Sequence, residues 1–436
     1  MSAVKADAID PAEYLLKPLT INSLTLANRI ILSPMAVLAT RPDGHPSEQT
    51  IAFFHERARG GVGMIIVGGS VATRRALEEA PFGGLLRMDD DSFVPDLKRM
   101  TDLIHEDGVP IIAELMTSFG PMAKPSAEWP VIAASPQAIT TAEDQFPAGI
   151  IVPGGRTGAT PREATIDEIR QFGQETVDAA LRCQRAGFDG VEIGAHMSYF
   201  AASFLSPRTN WRADEYGGDA ANRARIIVDQ VRGIREAAGA SFVIGVRMSA
   251  NEHYDGGQGP DGFAEIAKIV ERAGVDYVAM TDGNYVSMGR SAPETDGDAI
   301  EHGEAQAFRA ALSGPLILGS IHDPHRAAQA IADGHGDAIM FARQMLADPQ
   351  YAAKVRDGRL SEIVPCDRQN LCMRRMIMGM PVRCSVNPRM GRESRAPGKR
   401  PPLQRVIKAP IEHAVLAATG SERVMTVAGK FMKSSH

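Results

Sequence analysis

Cysteine is scarce: Cys183, Cys366, Cys372 and Cys384 are the only four in 436 residues, too few and too unevenly placed for a disulfide scaffold. Aromatic residues make up 6%, with two Trp, and no apolar run approaches the roughly 18 to 20 residues that span a bilayer. Excess positive charge is also lacking. With 47 basic against 53 acidic side chains the formal net charge is -6, which leaves no basic footprint for nucleic acid or an anionic membrane. The opening stretch MSAVKADAIDPAEY has neither the basic region nor the apolar core of a secretory signal, so a cytoplasmic protein is expected. What remains is a soluble globular chain, 44% hydrophobic and 23% charged, whose partner is expected to be a small molecule.

A rhythm fills most of the chain: a short β-rich run, a turn, then a stretch with apolar residues at i, i+3, i+4 spacing. The candidate strands are residues 29–33, 64–67, 110–115, 190–193, 242–248, 277–281, 315–318 and 338–341. Several are nearly all apolar (MIIV, PLILG, AIMF), as parallel strands buried on both faces should be. Between them lie helical stretches such as 166–186, opened by the capping-box spacing Thr165-Ile-Asp-Glu168 and closed by Gly187. Eight strand-helix units predict a (β/α)8 TIM barrel with its active site on the loops at the strands' C-terminal ends. An open doubly wound sheet is the alternative.

Some stretches break the rhythm. Residues 14–27 alternate like a small hairpin able to plug the bottom of the barrel, and 116–165, rich in Pro, Gly, Ala and Thr, form a long excursion read as a lid, a substrate loop or a plain insertion. The expected organisation is a barrel over 1–360, a cysteine-containing segment over 361–396, and a C-terminal extension over 397–436 that docks on the barrel or exchanges with a neighbouring subunit of a homo-oligomer.

Two late strands run into turns of small residues, Pro315-Leu-Ile-Leu-Gly319-Ser320 and Ala338-Ile-Met-Phe-Ala342-Arg343. Backbone N–H groups there can approach a phosphate that Arg343 neutralises, although small residues are also ordinary at strand ends. Taken with Asn28-Arg-Ile-Ile-Leu-Ser33-Pro34-Met35, the run from Phe204 to Gly218 followed by Asn222-Arg223, and Val246-Arg247-Met-Ser, the chain resembles the old yellow enzyme family of flavin oxidoreductases over about residues 14–390. Within it, the chain looks closest to the branch of 2,4-dienoyl-CoA reductase and trimethylamine dehydrogenase.

The resemblance implies FMN at the barrel's C-terminal mouth. It would place Ser33, Pro34, Met35 and Gly69 along the flavin ring, Arg247 as a cation beside N1, and Gly319, Ser320, Ala342 and Arg343 around the phosphate. Glu114 stands where most members carry a Gln on the pyrimidine edge, and when ionised it can only accept. Ala36 offers no side-chain hydrogen bond where relatives often carry Thr or Cys, and Met116 and Thr117 favour an apolar partner.

On the substrate side, many members carry paired His/His or His/Asn three residues apart, then a Tyr that donates a proton. Counting back from Phe204, Tyr199 falls at the donor position, Gly194 and Met197 take the two gripping positions, and His196 lies one residue early. A local bulge would be needed to swing His196 inward.

Cys366, Cys372 and Cys384 resemble the iron–sulfur segment of the larger branch. A four-iron cluster normally needs four thiolates, and Gln369 stands at the missing one. Asp367, water or Cys183 could complete it, the loop could be vestigial, or it could hold three irons or zinc. Nothing after residue 390 offers a strand followed by Gly-x-Gly-x-x-Gly, so electrons are expected from NAD(P)H at the FMN or from a separate partner protein.

The leading expectation is an FMN-dependent ene-reductase with Tyr199 as proton donor and His196 polarising the substrate carbonyl. The alternatives are an oxidative amine dehydrogenase or N-demethylase, whose aromatic cage looks hard to assemble from so few aromatics, and a partner-dependent flavin subunit.

Overall fold

The computed structural model describes residues 9–141, 157–293, 296–395, 412 and 414. Eight parallel strands close on themselves: β1 Ile30–Leu32, β2 Met64–Val67, β3 Ile111–Leu115, β4 Gly190–Ala195, β5 Val243–Ser249, β6 Tyr277–Thr281, β7 Leu316–Leu318 and β8 Ala338–Phe341. Closure is decided by β1, which pairs with both β8 and β2, and it removes the open-sheet alternative. The covering helices are α1 Glu48–Arg59, α2 Val94–His105, α3 Ile166–Arg185, α4 Ala220–Ala238, α5 Pro260–Arg272, α6 Glu304–Ala311, α7 Pro324–Ala332 and α8 Tyr351–Arg356.

Every expected strand is present, with ends shifted by a residue or two. Along β2, Met64 and Ile66 point into the barrel while Ile65 and Val67 face the helices, so all four are buried and the run reads as uniformly apolar. The expected capping box is formed: the Thr165 hydroxyl accepts from Glu168 N, and the Glu168 carboxylate accepts from Thr165 N. The inner face of α3 buries Ile169, Phe172, Thr176, Ala180 and Cys183 at the spacing of one helical stripe. Each of its large apolar side chains contributes about 1.5 to 3 kcal/mol on burial.

The N-terminal hairpin pairs Leu19–Ile21 with Leu24–Leu26. Its Ile21 and Leu26 join the inward-facing Ile31, Met64, Ile112, Tyr277 and Ile317, and Asn22 and Ser23 donate to the carbonyls of Ala240 and Ser241 just ahead of β5. The barrel is thereby plugged at the strands' N-terminal end, so a cavity inside it must open at the other.

Over that mouth, Ile132–Ala133 pairs with Arg162–Glu163, and Phe119, Met122 and Ile139 pack with Tyr285 and Met288. The excursion's central residues 142–156 lie outside the described residues. Segment 361–395 also packs on the mouth. Gln344 holds the backbone at Val364 and Cys366, Val382 N bonds Val37 O, and the helix α9 Leu371–Ile377 follows. Of the extension 397–436 only residues 412 and 414 are described, and Glu412 pairs with Arg375 at 3.0 Å. Among the described residues no helix is long and apolar enough to cross a membrane.

Candidate active site

Side chains alternate along a strand, so residues of one parity share the barrel interior. On β3 this brings Ile112, Glu114 and then Met116 inward; on β5, Val243, Gly245 and Arg247; on β4, Glu192, Gly194 and then His196. The β4–β5 register runs unbroken from Gly190 to Ala195, so the bulge expected for His196 is absent. None is needed. His196 faces inward by parity with Glu192, and the turn comes after it, where Met197 and Ser198 take left-handed φ of 57° and 60°. That turn brings Tyr199 back beside His196, with ring centroids 5.6 Å apart.

One cavity of about 200 Å³ at the mouth gathers most of the expected residues: Pro34, Met35, Gly69, Glu114, His196, Tyr199, Arg247, Ala342 and Arg343. Ser33, Gly319 and Ser320 do not line it. Ser33 is buried with its N–H on the Phe341 carbonyl, and Ser320 takes a left-handed φ of 69° beyond β7. Gly194 exposes no grip; the space beside it is filled by the Met116 sulfur, 3.0 Å from where a Cβ would stand.

Charge at the floor is unbalanced. Arg247 Nη1 reaches Glu114 Oε1 at 3.3 Å and the Pro34 carbonyl at 3.4 Å, while Glu192 lies opposite Glu114 in the β3–β4 register. Two buried carboxyls share one cation. Burial therefore pushes Glu114 up despite the pull of Arg247, and burial together with the neighbouring Glu114 charge pushes Glu192 up to about 8. Burial first, and then Arg247, hold His196 well below its ordinary range, so its imidazole is neutral. His196 Nδ1 and Arg247 Nε are buried without a protein hydrogen-bond partner. Unsatisfied polar atoms on a cavity wall suit a ligand with a polar edge.

The opposite wall is aromatic. Phe82 packs edge-on to Phe119 at 6.2 Å, Phe119 on Tyr199 at 5.6 Å, and Tyr199 on Tyr285 at 5.8 Å, with the two phenol oxygens 2.9 Å apart. Burial raises the Tyr199 phenol well above its ordinary value, so it keeps its proton. Both Trp lie elsewhere, but despite the scarcity of aromatics Phe and Tyr from four separate loops meet here. Trp211 is 53% exposed, and Trp129 lies under Arg75.

The family model described as the NADH:flavin oxidoreductase / NADH oxidase family matches residues 14–362. The chain belongs to this family. The resemblance read from the motifs is thereby borne out. Among NADH:flavin oxidoreductase relatives, the chain is similar to an NADH oxidase of Thermoanaerobacter brockii, 32% identical over 428 residues, which are 95% of this chain and 61% of that protein. It is also similar to a cinnamate reductase of Clostridium sporogenes, 29% identical over 446 residues, covering 96% and 64%. Among solved structures, a 2-naphthoyl-CoA reductase in complex with 2-naphthoyl-CoA superposes with a TM-score of 0.77 at 28% identity, covering 88% of this chain and 58% of that one. The chain thus spans about three fifths of the length of these relatives.

Other cavity residues carried no motif. Tyr285 and Ser291 come from the loop after β6, and Met373 and Met376 from α9, so the cysteine segment forms part of this family member's cavity wall. Their only signal in the sequence was position on loops at the strands' C-terminal ends. Arg343 turns toward the same segment, donating to Asn370 Oδ1 and the Pro293 carbonyl, both at 2.9 Å.

The thiols themselves do not fit a four-thiolate cluster. Cys366, Cys372 and Cys384 are free and half-buried, and burial pushes the Cys372 thiol up to about 11. Cys183 does not reach them. It is buried in α3 over β3 and β4, on the other side of the barrel from the strand-β8 end where the three thiols sit. Gln369 and Asp367 are exposed, and Asp367 accepts from Gln369 N.

Proposed function

We propose that the chain is an FMN-dependent, NAD(P)H-driven ene-reductase acting in the cytoplasm on the activated C=C bond of an α,β-unsaturated carbonyl compound. The observation that carries the reading is the single cavity in which Pro34, Met35 and Gly69 face Arg247, Glu114, His196 and Tyr199, with Arg247 Nε and His196 Nδ1 left for a ligand. When bound, FMN supplies reversible hydride storage.

The residues present suit that group. Pro34, Met35 and Gly69 offer backbone to a flat ring, with Ser33 fixing the strand end behind them. Arg247 sets a cation where negative charge gathers in the reduced cofactor. Glu114, paired with Arg247, stands where other members carry Gln and would accept from an N–H on the pyrimidine edge. Gly319, Ser320 and Ala342 are assigned to the phosphate, together with Arg343 once it exchanges the Pro293 carbonyl for a phosphate oxygen.

On the substrate, His196 donates its ring N–H to the carbonyl oxygen as a neutral imidazole. Tyr199 delivers the phenol proton to the α-carbon, and Tyr285, hydrogen-bonded to it, is placed to restore that proton. The apolar Met116, Met197 and Phe119 exclude water from the reacting carbons.

We assign residues 1–360 to the barrel, 361–396 to a wall segment whose three cysteines are the remnant of a cluster, and 397–436 to a tail. Homo-oligomerisation belongs to the same reading. Anaerobic reduction of the flavin by NADH or NADPH, followed by reoxidation with a panel of enones and enoates, tests it. FMN that neither nicotinamide reduces would leave a separate electron-donor protein as the route and sink the reading.

The aromatic wall supports a second reading, oxidation of a methylated amine, because Tyr and Phe faces attract an alkylammonium. Bleaching of the flavin by a secondary or tertiary amine without NAD(P)H distinguishes it.

A further inference from the structure

Among the described residues, one further cluster of metal-ligand side chains is assembled: His253, Asp282 and Glu304, with one ligand atom from each within 4.8 Å of the others. They converge from three segments, His253 beyond β5, Asp282 directly after β6, and Glu304 at the first residue of α6. None of the three lines the cavity described above. His253 Nε2 lies 2.7 Å from Asp282 Oδ1 and 3.6 Å from Glu304 Oε1. Asn251 Nδ2 donates to Glu304 Oε1 at 2.9 Å and Gly283 N to Asp282 Oδ1 at 3.0 Å, which fixes both carboxylates.

Two facts separate this trio from an ordinary ion pair. Glu304 is 0% and Asp282 2% exposed, yet Glu304 Oε2 and Asp282 Oδ2 have no hydrogen-bond partner. Moreover, among the described residues no Lys or Arg pairs with either carboxylate, so with both ionised the negative charge exceeds anything one imidazole can neutralise. Buried, unpaired carboxylate oxygens are costly unless a cation meets them.

We propose that His253, Asp282 and Glu304 form a site for a divalent cation of the Zn²⁺ or Mn²⁺ type. One imidazole nitrogen with carboxylate oxygens suits these ions, whereas Ca²⁺ prefers oxygen alone and Mg²⁺ keeps its water. Bonds of about 2.0 to 2.2 Å put neighbouring ligand atoms about 3 to 3.5 Å apart, and the observed 2.7 and 3.6 Å bracket that range. The ion would tie the β5, β6 and α6 loops together. It would also brace the cavity wall, because the Asp282 carbonyl accepts the hydroxyl of Ser291, a lining residue, at 2.6 Å.

The test uses the full chain after chelator treatment and dialysis. Free Mn²⁺ is followed by electron paramagnetic resonance and Zn²⁺ by competition with a chromophoric chelator. One ion per chain is expected, with Zn²⁺ displacing Mn²⁺. His253→Gln and Glu304→Gln are each expected to weaken Mn²⁺ binding at least tenfold and to abolish the rise in thermal midpoint that saturating metal gives the wild type. The double variant Cys366→Ser/Cys372→Ser is expected to bind Mn²⁺ as the wild type does. Failure of the wild type to take up either ion at millimolar concentration overturns the proposal, whatever the variants do. Uptake that survives His253→Gln but disappears with the two thiols overturns it equally.

Discussion

Glu192 lies inside the barrel with none of its surface exposed; its Oε2 accepts from the Tyr277 hydroxyl at 2.9 Å, and its Oε1 has no partner. Burial and the Glu114 charge raise its carboxyl from an ordinary 4.5 to about 8, against smaller opposing pulls from Arg247 and Tyr277. Between these values the folded chain holds a proton that the unfolded chain has released. Stability therefore falls as pH rises from about 4.5 to about 8 and levels off above, by about 1.4 kcal/mol per pH unit and on the order of 5 kcal/mol in all. Glu192→Gln keeps an acceptor for Tyr277 and removes the titration. In urea unfolding between pH 5 and 9, the variant is expected to gain on the wild type by about 1.4 kcal/mol per pH unit until pH 8, after which the gap stays constant. Identical pH slopes in the two proteins would refute the claim that Glu192 is held protonated in the native barrel.

On the proposed function, Tyr199→Phe is expected to lower enone turnover about 100-fold while leaving the stopped-flow rate of flavin reduction by NAD(P)H unchanged, since only the proposed proton donor is lost. Arg247→Met strips the shared cation from Glu114 and Glu192, and FMN affinity, read by fluorescence recovery on release, is expected to drop at least about tenfold. Gly245→Ala drives a methyl into the Tyr277 ring on the adjacent strand; a lower thermal midpoint, equivalent to about 2 to 3 kcal/mol, checks it.

The barrel was legible because a strand buried on both faces must be apolar along its whole length, and MIIV and AIMF betray that to the eye. Pro34, Arg247 and Tyr199 could be named from motifs because each is tied to a strand end by a fixed spacing. Family spacing sets His196 one residue early and calls for a bulge, whereas counting by twos from Glu192 puts it on the inner face without one. The aromatic wall was missed outright. Phe82, Phe119, Tyr199 and Tyr285 are spread over more than two hundred positions, and no local pattern links one loop to the next.

The same division runs through the whole chain. By itself the sequence determined the eight strand-helix units, the small-residue turns after β7 and β8 and the presence of only three thiols in segment 361–396, since these depend on short-range periodicity and residue chemistry. Only the tertiary structure decided that Glu114 and Glu192 share one arginine, that α9 walls the cavity, and that His253, Asp282 and Glu304 meet. Those pairings arise when the barrel closes and brings the ends of different strands to one mouth, and closure is a property of the whole sheet rather than of any stretch of it.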